Sequence, residues 1–104
     1  MQPFIHLYFK ELRKSIPVKV DTGSDVSVLP ASLIPQHINA KRESTLLQGT
    51  TANNTPLSFD FTVELTVVAD GRDFQHKFYV SAAVNRSLLG IDFLSQHCCC
   101  AKLA

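Results

Sequence analysis

Asp21-Thr22-Gly23-Ser24 is the stretch whose residue types and spacing could do chemistry. Val18, Lys19 and Val20 alternate into it, and Val26 and Val28 alternate with Ser27 and Leu29 on the way out, as far as Pro30. A carboxylate between two such strands sits on a tight loop carried by sheet on both sides, so it can be aimed accurately. Held in that way, it can take or give a proton at one fixed place. Gly23 has no Cβ, so a second backbone or a substrate can come close to Asp21. The hydroxyls of Thr22 and Ser24 can hydrogen-bond their neighbours and fix the orientation of the carboxylate. A plain polar β-turn would use the same residue types, because Asp and Gly are both favoured in turns.

A second motif lies far downstream. In Leu88-Leu89-Gly90-Ile91-Asp92-Phe93-Leu94, two apolar residues and a glycine lead into a helix. Asp-Thr-Gly flanked by apolar strands, with this helix motif at domain-length spacing, resembles the active-site signature of aspartic proteases. The likeness is to the single-signature retropepsins of retroviruses and of gypsy-class retrotransposons. It implies an all-β fold, a retropepsin-like acid-protease barrel or sandwich with one short C-terminal helix, acting as a homodimer.

The resemblance also implies the chemistry. Asp21, Thr22 and Gly23 would be the catalytic residues. Two aspartates held side by side cannot both ionise, so they share a proton: one takes a proton from water while the other protonates the leaving side. Such a pair titrates as a unit. Only one Asp-Thr-Gly is present, since Asp25, Asp60, Asp70, Asp73 and Asp92 all lack the following Thr-Gly. A second copy of the chain, related by a two-fold axis, would have to bring the other Asp21. Thr22 would then cross the interface and brace the partner's loop.

Ser24 and Asp25 would bind substrate, Asp25 through the peptide backbone. The Ser24 hydroxyl is expected to donate to Asp21 and favour its ionised form. Retroviral relatives often balance the charge of Asp25 with an arginine after the downstream glycine, and Ile91 stands there in this chain. Val28, Ala52, Arg86, Leu88 and Leu89 would line specificity pockets, although core packing explains at least one of the two leucines equally well. The turn-rich segment 49–56 would be a flap closing over peptide, with Asn53 and Asn54 at its tip.

The remaining elements must position these groups. Residues 4–9 and 15–20 read as a hairpin that delivers Asp21, with a polar turn at 10–14. One helical turn fits 31–34, a loop 36–44, and a brief strand 45–48. Residues 57–68 alternate over their whole length, with Phe59, Phe61, Val63, Leu65 and Val67 on one face, as expected for a single strand. Asp70-Gly71 predicts a tight hairpin turn. On the return strand, Phe74, His76, Phe78 and Val80 face inward, so His76 reads as a structural histidine. A helix over 91–97 would use Asp92 at its positive end, and 98–103 could add a last strand.

Composition bounds the rest. The 104 residues make one domain, 1–104. A net charge of +1 offers no footprint for nucleic acid, and no apolar run is long enough to span a bilayer. The N-terminus lacks the basic and then apolar layout of a secretory signal. A cytoplasmic setting is expected, or one inside virus-like particles. Cys98, Cys99 and Cys100 follow His97 with no spacing that suits a metal, so neither metal nor other cofactor is expected. The expected partners are a second copy and a peptide or polyprotein, making the chain an endopeptidase that matures a retrotransposon-like or retroviral-like polyprotein. The alternative is a catalytically silent, domesticated module of the same fold that dimerises or binds partners. A third reading, a cellular retropepsin-like domain of a ubiquitin-related protein, would need flanking domains to recognise.

Overall fold

A computed structural model describes residues 4–38, 40–44, 48–50 and 56–97. Strands β1 (Phe4–Phe9) and β2 (Lys14–Val20) form the first hairpin, in register from Phe4 opposite Lys19 to Phe9 opposite Lys14. Alternation along both strands buries Leu7, Phe9, Ile16, Val18 and Val20 on one face. Strand β3 (Val28–Pro30) runs into a 3₁₀ turn, Ala31–Leu33. Then come β4 (Arg42–Ser44), β5 (Gln48–Thr50), β6 (Pro56–Ser58), β7 (Phe61–Ala69), β8 (Arg72–Ser81), β9 (Ser87–Leu89) and helix α1 (Ile91–Gln96).

The main sheet runs β1-β2-β9-β3-β8-β7-β4, and β1 also pairs with β7 through Tyr8–Val68 and Phe9–Val67. That extra pairing closes the sheet on itself and covers the end of β1, while β4 stays as an edge strand on β7. The interior is filled by the inward residues of every wall, among them Phe9, Val18, Leu29, Leu65, Val67, Phe78, Val80 and Leu89, with Phe93 of α1 plugging one end. The β7–β8 hairpin is the longest wall. Asp70 and Gly71 connect it with φ values of 52° and 71°, the left-handed pair that the Asp-Gly dipeptide predicts for a tight turn matching strand twist.

Three expectations need correction. Residues 42–44 are strand rather than loop, since β4 adds to β7 opposite Phe61, Thr62 and Val63. The long alternating run is two strands, because the chain leaves β6, which pairs with β5, before it joins the main sheet as β7. Asp60 secures the change of sheet: its N–H donates to Val80 O at 2.7 Å and its Oδ2 accepts from the Ala82 N–H at 2.8 Å. Nor do residues 26–29 alternate, for Ser27, Val28 and Leu29 are all buried, as expected of a strand inside a sheet with both faces covered. The segments 45–47 and 98–103 lie outside the described residues, so the strands expected there are not described.

Phe78 is fully buried and meets Phe9 edge to face at 5.5 Å across the barrel. Phe78→Ala should cost about 3–5 kcal/mol of stability, measured by denaturant unfolding at fixed protein concentration. A loss below about 1 kcal/mol would mean that the barrel interior is not packed as described.

Candidate active site

The end of β2 and the end of β9 lie side by side as parallel neighbours, Val20 opposite Leu89. Asp21 leaves the first and Gly90 leaves the second. The two exits are joined directly, since Asp21 N–H donates to Leu89 O at 3.0 Å and Ile91 N–H donates to Ser24 O at 2.8 Å. A third tie is the Gly90 N–H, which donates to Ser27 Oγ at 3.0 Å. The Asp21 loop therefore rests on the β9–α1 corner. It rests so closely that a Cβ on Gly90 would lie 2.4 Å from Val26 O and 2.8 Å from Ser24 O. Glycine is required here for close approach rather than for an unusual φ.

Within the loop, Ser24 N–H donates to Asp21 O at 3.1 Å, and Gly23 N–H donates to Asp21 Oδ1 at 3.0 Å. The second bond points the carboxylate back over its own turn. Ser24 does not help in the way expected: its Oγ–H donates to Val26 O at 2.7 Å, so it stiffens the loop and leaves Asp21 alone. Asp21 keeps partial exposure, and Thr22, Gly23 and Asp25 are exposed. Asp25 has no ion-pair partner among the described residues, and Ile91 is 40% exposed beside the loop.

Beneath the loop lies a polar group of residues that sequence reasoning did not connect. Ser27 Oγ–H donates to Asp92 Oδ1 at 2.8 Å, and His76 Nε2 lies 2.9 Å from Asp92 Oδ2. Burial pushes the Asp92 carboxyl up, but hydrogen bonds from His76 and Ser27 outweigh it and hold the group below its ordinary range. Asp92 is thus more than a helix-start residue. The signal was in the sequence: a serine inside an apolar strand and a histidine on an apolar face both need a buried partner.

The retroviral aspartyl protease family model matches residues 2–101. The chain belongs to that family. No curated protein matches it in sequence. Among solved structures it resembles EIAV protease in complex with the inhibitor HBY-793, with a TM-score of 0.73 and 18% identity. That match covers 92% of this chain and 88% of the other. The likeness is one of fold, and it agrees with the closed barrel and single short helix above.

As a retropepsin-like chain, it places its expected site residues unevenly. Asp21, Thr22, Gly23, Ser24 and Asp25 share the loop. Leu89 is fully buried in the core, so the pocket role expected for it is corrected to a packing one. Leu88, one residue earlier, faces the opposite way and stays partly accessible. Val28 pairs with Leu88 and is only 2% exposed, so its expected pocket role is likewise corrected to a packing one. Arg86 opens onto a groove of about 410 Å³ lined also by Phe4, Ile16, Pro17 and Leu33, and no residue from Asp21 to Gly23 lines that groove. Strands β5 and β6 are the legs of the expected flap, with Thr50 opposite Pro56. Its tip, including Ala52, Asn53 and Asn54, lies outside the described residues.

Two outcomes follow from this geometry. Gly90→Ala should lose about 1–3 kcal/mol by overpacking against Val26 and Ser24, read as a lower unfolding midpoint; an unchanged midpoint would contradict the close approach. Asp92, held low in the fold, contributes stability that is present above its unfolded value of about 3.9 and lost as pH falls through the lower folded value. Asp92→Asn should therefore flatten the fall in stability between about pH 5 and pH 2, and a curve as steep as wild type would show that other carboxylates carry it.

Proposed function

We propose that the chain is an aspartic endopeptidase, active as a two-fold homodimer in which the two Asp21 carboxylates activate a water for peptide hydrolysis. The observation that carries this reading is the Asp21 loop. Its carboxylate is oriented by the Gly23 N–H, its backbone is anchored to β9 and α1, and its tip is left accessible. One protomer supplies one such acid. Peptide hydrolysis needs a base for the water and an acid for the leaving amine, and two carboxylates sharing one proton provide both. Symmetry is the economical source of the second carboxylate.

Exposed apolar side chains support the dimer. Ile91 sits beside the loop at 40% exposure, and Phe4 at 56% stands at the start of β1. The apolar residue at 91 gives a partner something to cover where an arginine would hold water. Leu88 would supply an apolar pocket wall, with Ser24 and Asp25 at its polar edge, and the β5–β6 hairpin would close over peptide and exclude water. Thr22, exposed at the loop tip, would reach the partner's loop. An apolar wall favours cleavage between apolar residues. The natural substrate would be a polyprotein that includes the protease itself, processed in the cytoplasm or in a virus-like particle.

The test is incubation of wild type and Asp21→Asn with a peptide library at mildly acidic pH, with and without a pepstatin-like inhibitor. Wild type should cleave, the inhibitor should stop it, and Asp21→Asn should lose at least about a thousand-fold in rate, the scale lost when a member of a catalytic unit is removed. Specific activity should also fall on dilution through the dimer dissociation constant. Cleavage that survives Asp21→Asn, or that is independent of protein concentration in a strictly monomeric sample, would overturn the reading.

A further inference from the structure

One buried titratable group remains without a role in that chemistry. His76, in the middle of β8, is 3% exposed and lies edge-on to Phe78 and Phe93 at 5.3 and 5.0 Å. A histidine buried among aromatic rings costs stability unless its nitrogens are used. One of them is used, on Asp92, whose other oxygen takes the Ser27 hydroxyl. The Ser27 oxygen in turn takes the Gly90 N–H. A line of hydrogen bonds thus runs from the barrel wall, through α1 and the residue that precedes β3, to the residue on which the Asp21 loop rests.

The second ring nitrogen makes the direction of this line definite. His76 Nδ1 is buried and has no hydrogen-bond partner among the described residues. A proton on it would be a buried, unsatisfied donor, whereas a bare nitrogen there is the milder loss. The neutral ring is therefore held in its Nε2–H form, with that hydrogen directed at Asp92. Both Asp92 oxygens then act as acceptors, so Ser27 must give its only hydrogen to Asp92 and keep its lone pairs for Gly90.

We propose that His76 and Asp92 are positioning residues for Asp21: the imidazole orients the carboxylate, the carboxylate orients the Ser27 hydroxyl, and Ser27 fixes Gly90 and the loop above it. The inference rests on the peptidase reading for its kinetic consequence, but not for its structural one. Besides Asp92, the titratable group against His76 is His97, at 5.4 Å between ring centres. Neither histidine touches the Asp21 loop directly in any of the hydrogen bonds described, so the effect on catalysis is carried by Ser27 and Gly90.

The experiment compares wild type with His76→Phe, which fills the space without a donor, and His76→Gln, which keeps an N–H. Kinetics on a cleaved peptide, amide hydrogen exchange and ¹⁵N spectra of the ring are all read on the whole chain. His76→Phe should lower kcat about ten-fold, equivalent to about 1.4 kcal/mol, with KM changed less than about two-fold, and His76→Gln should recover most of the loss. The Asp21, Gly90 and Ile91 amides should exchange faster in His76→Phe while those of β7 and β8 do not, and the wild-type ring should show the Nε2–H tautomer. Uniformly faster exchange with equal kinetic losses in both variants would reduce His76 to a core residue, and an Nδ1–H tautomer would overturn the proposal outright. If wild type cleaves no peptide, the peptidase reading fails, while exchange and ¹⁵N spectra still decide the brace.

Discussion

The Asp21 loop of this chain depends on a contact in which nothing larger than hydrogen fits. Gly90 stands at the end of β9, and the carbonyls of Ser24 and Val26 lie where its Cβ would be. Because the loop is that close, three N–H groups of the two strand exits reach acceptors across the gap, at Leu89, Ser24 and Ser27. Each such bond contributes only about 0.5–1.5 kcal/mol net. Together they convert a polar turn, which solvent would otherwise loosen, into a fixed mount for one carboxylate. The parallel pairing of β2 with β9 makes this possible, since it brings two chain exits to the same end of the sheet.

The helix that follows could not provide such a mount alone. Six residues, Ile91–Gln96, are far too few to be helical in water. The helix holds its place because Phe93 is fully buried in the barrel, packed against His76 and Phe74. Asp92 next to it is then drawn toward the interior, where a carboxylate would be costly without partners. Ser27 and His76 supply them. The same residues thus solve a solvation problem created by the helix and hold the corner on which the loop rests.

Much of this was legible in the sequence. The Asp-Thr-Gly loop between strands, the first hairpin, the Asp-Gly turn and the inward set Phe74, His76, Phe78 and Val80 all follow from local pattern, because period-two alternation and turn chemistry act over a few residues. What was not legible depends on partners distant in the chain. Ser24 is the exception: both candidate acceptors, Asp21 and Val26 O, are local, and only the folded loop selects the second. Ser27 and Asp92 are 65 residues apart, so no local rule joins them. Strand β4 is all exposed and polar, so it carries no alternation, and only its pairing with β7 makes it a strand. Residues 57–68 alternate without interruption in the sequence, although the chain changes sheets at Phe59 and Asp60 and then buries both Thr62 and Val63.

The position after Gly90 shows how these levels interact. Ile91 gives its N–H to the loop and leaves its side chain 40% exposed, so the backbone role is independent of residue type and the side chain is not. A cation there could have neutralised Asp25; an isoleucine cannot, and Asp25 stays exposed with no ion-pair partner among the described residues. Apolar surface at the foot of the Asp21 loop is unfavourable in water by about 25 cal/mol for each Å², and a second copy docking along the loop, as proposed, would remove that cost. In the proposed dimer the hydrophobic contribution at Ile91 would therefore stand in for an ion pair. Such an interface weakens with cooling rather than with salt, since burial of apolar area is entropic near room temperature and is not screened by ions.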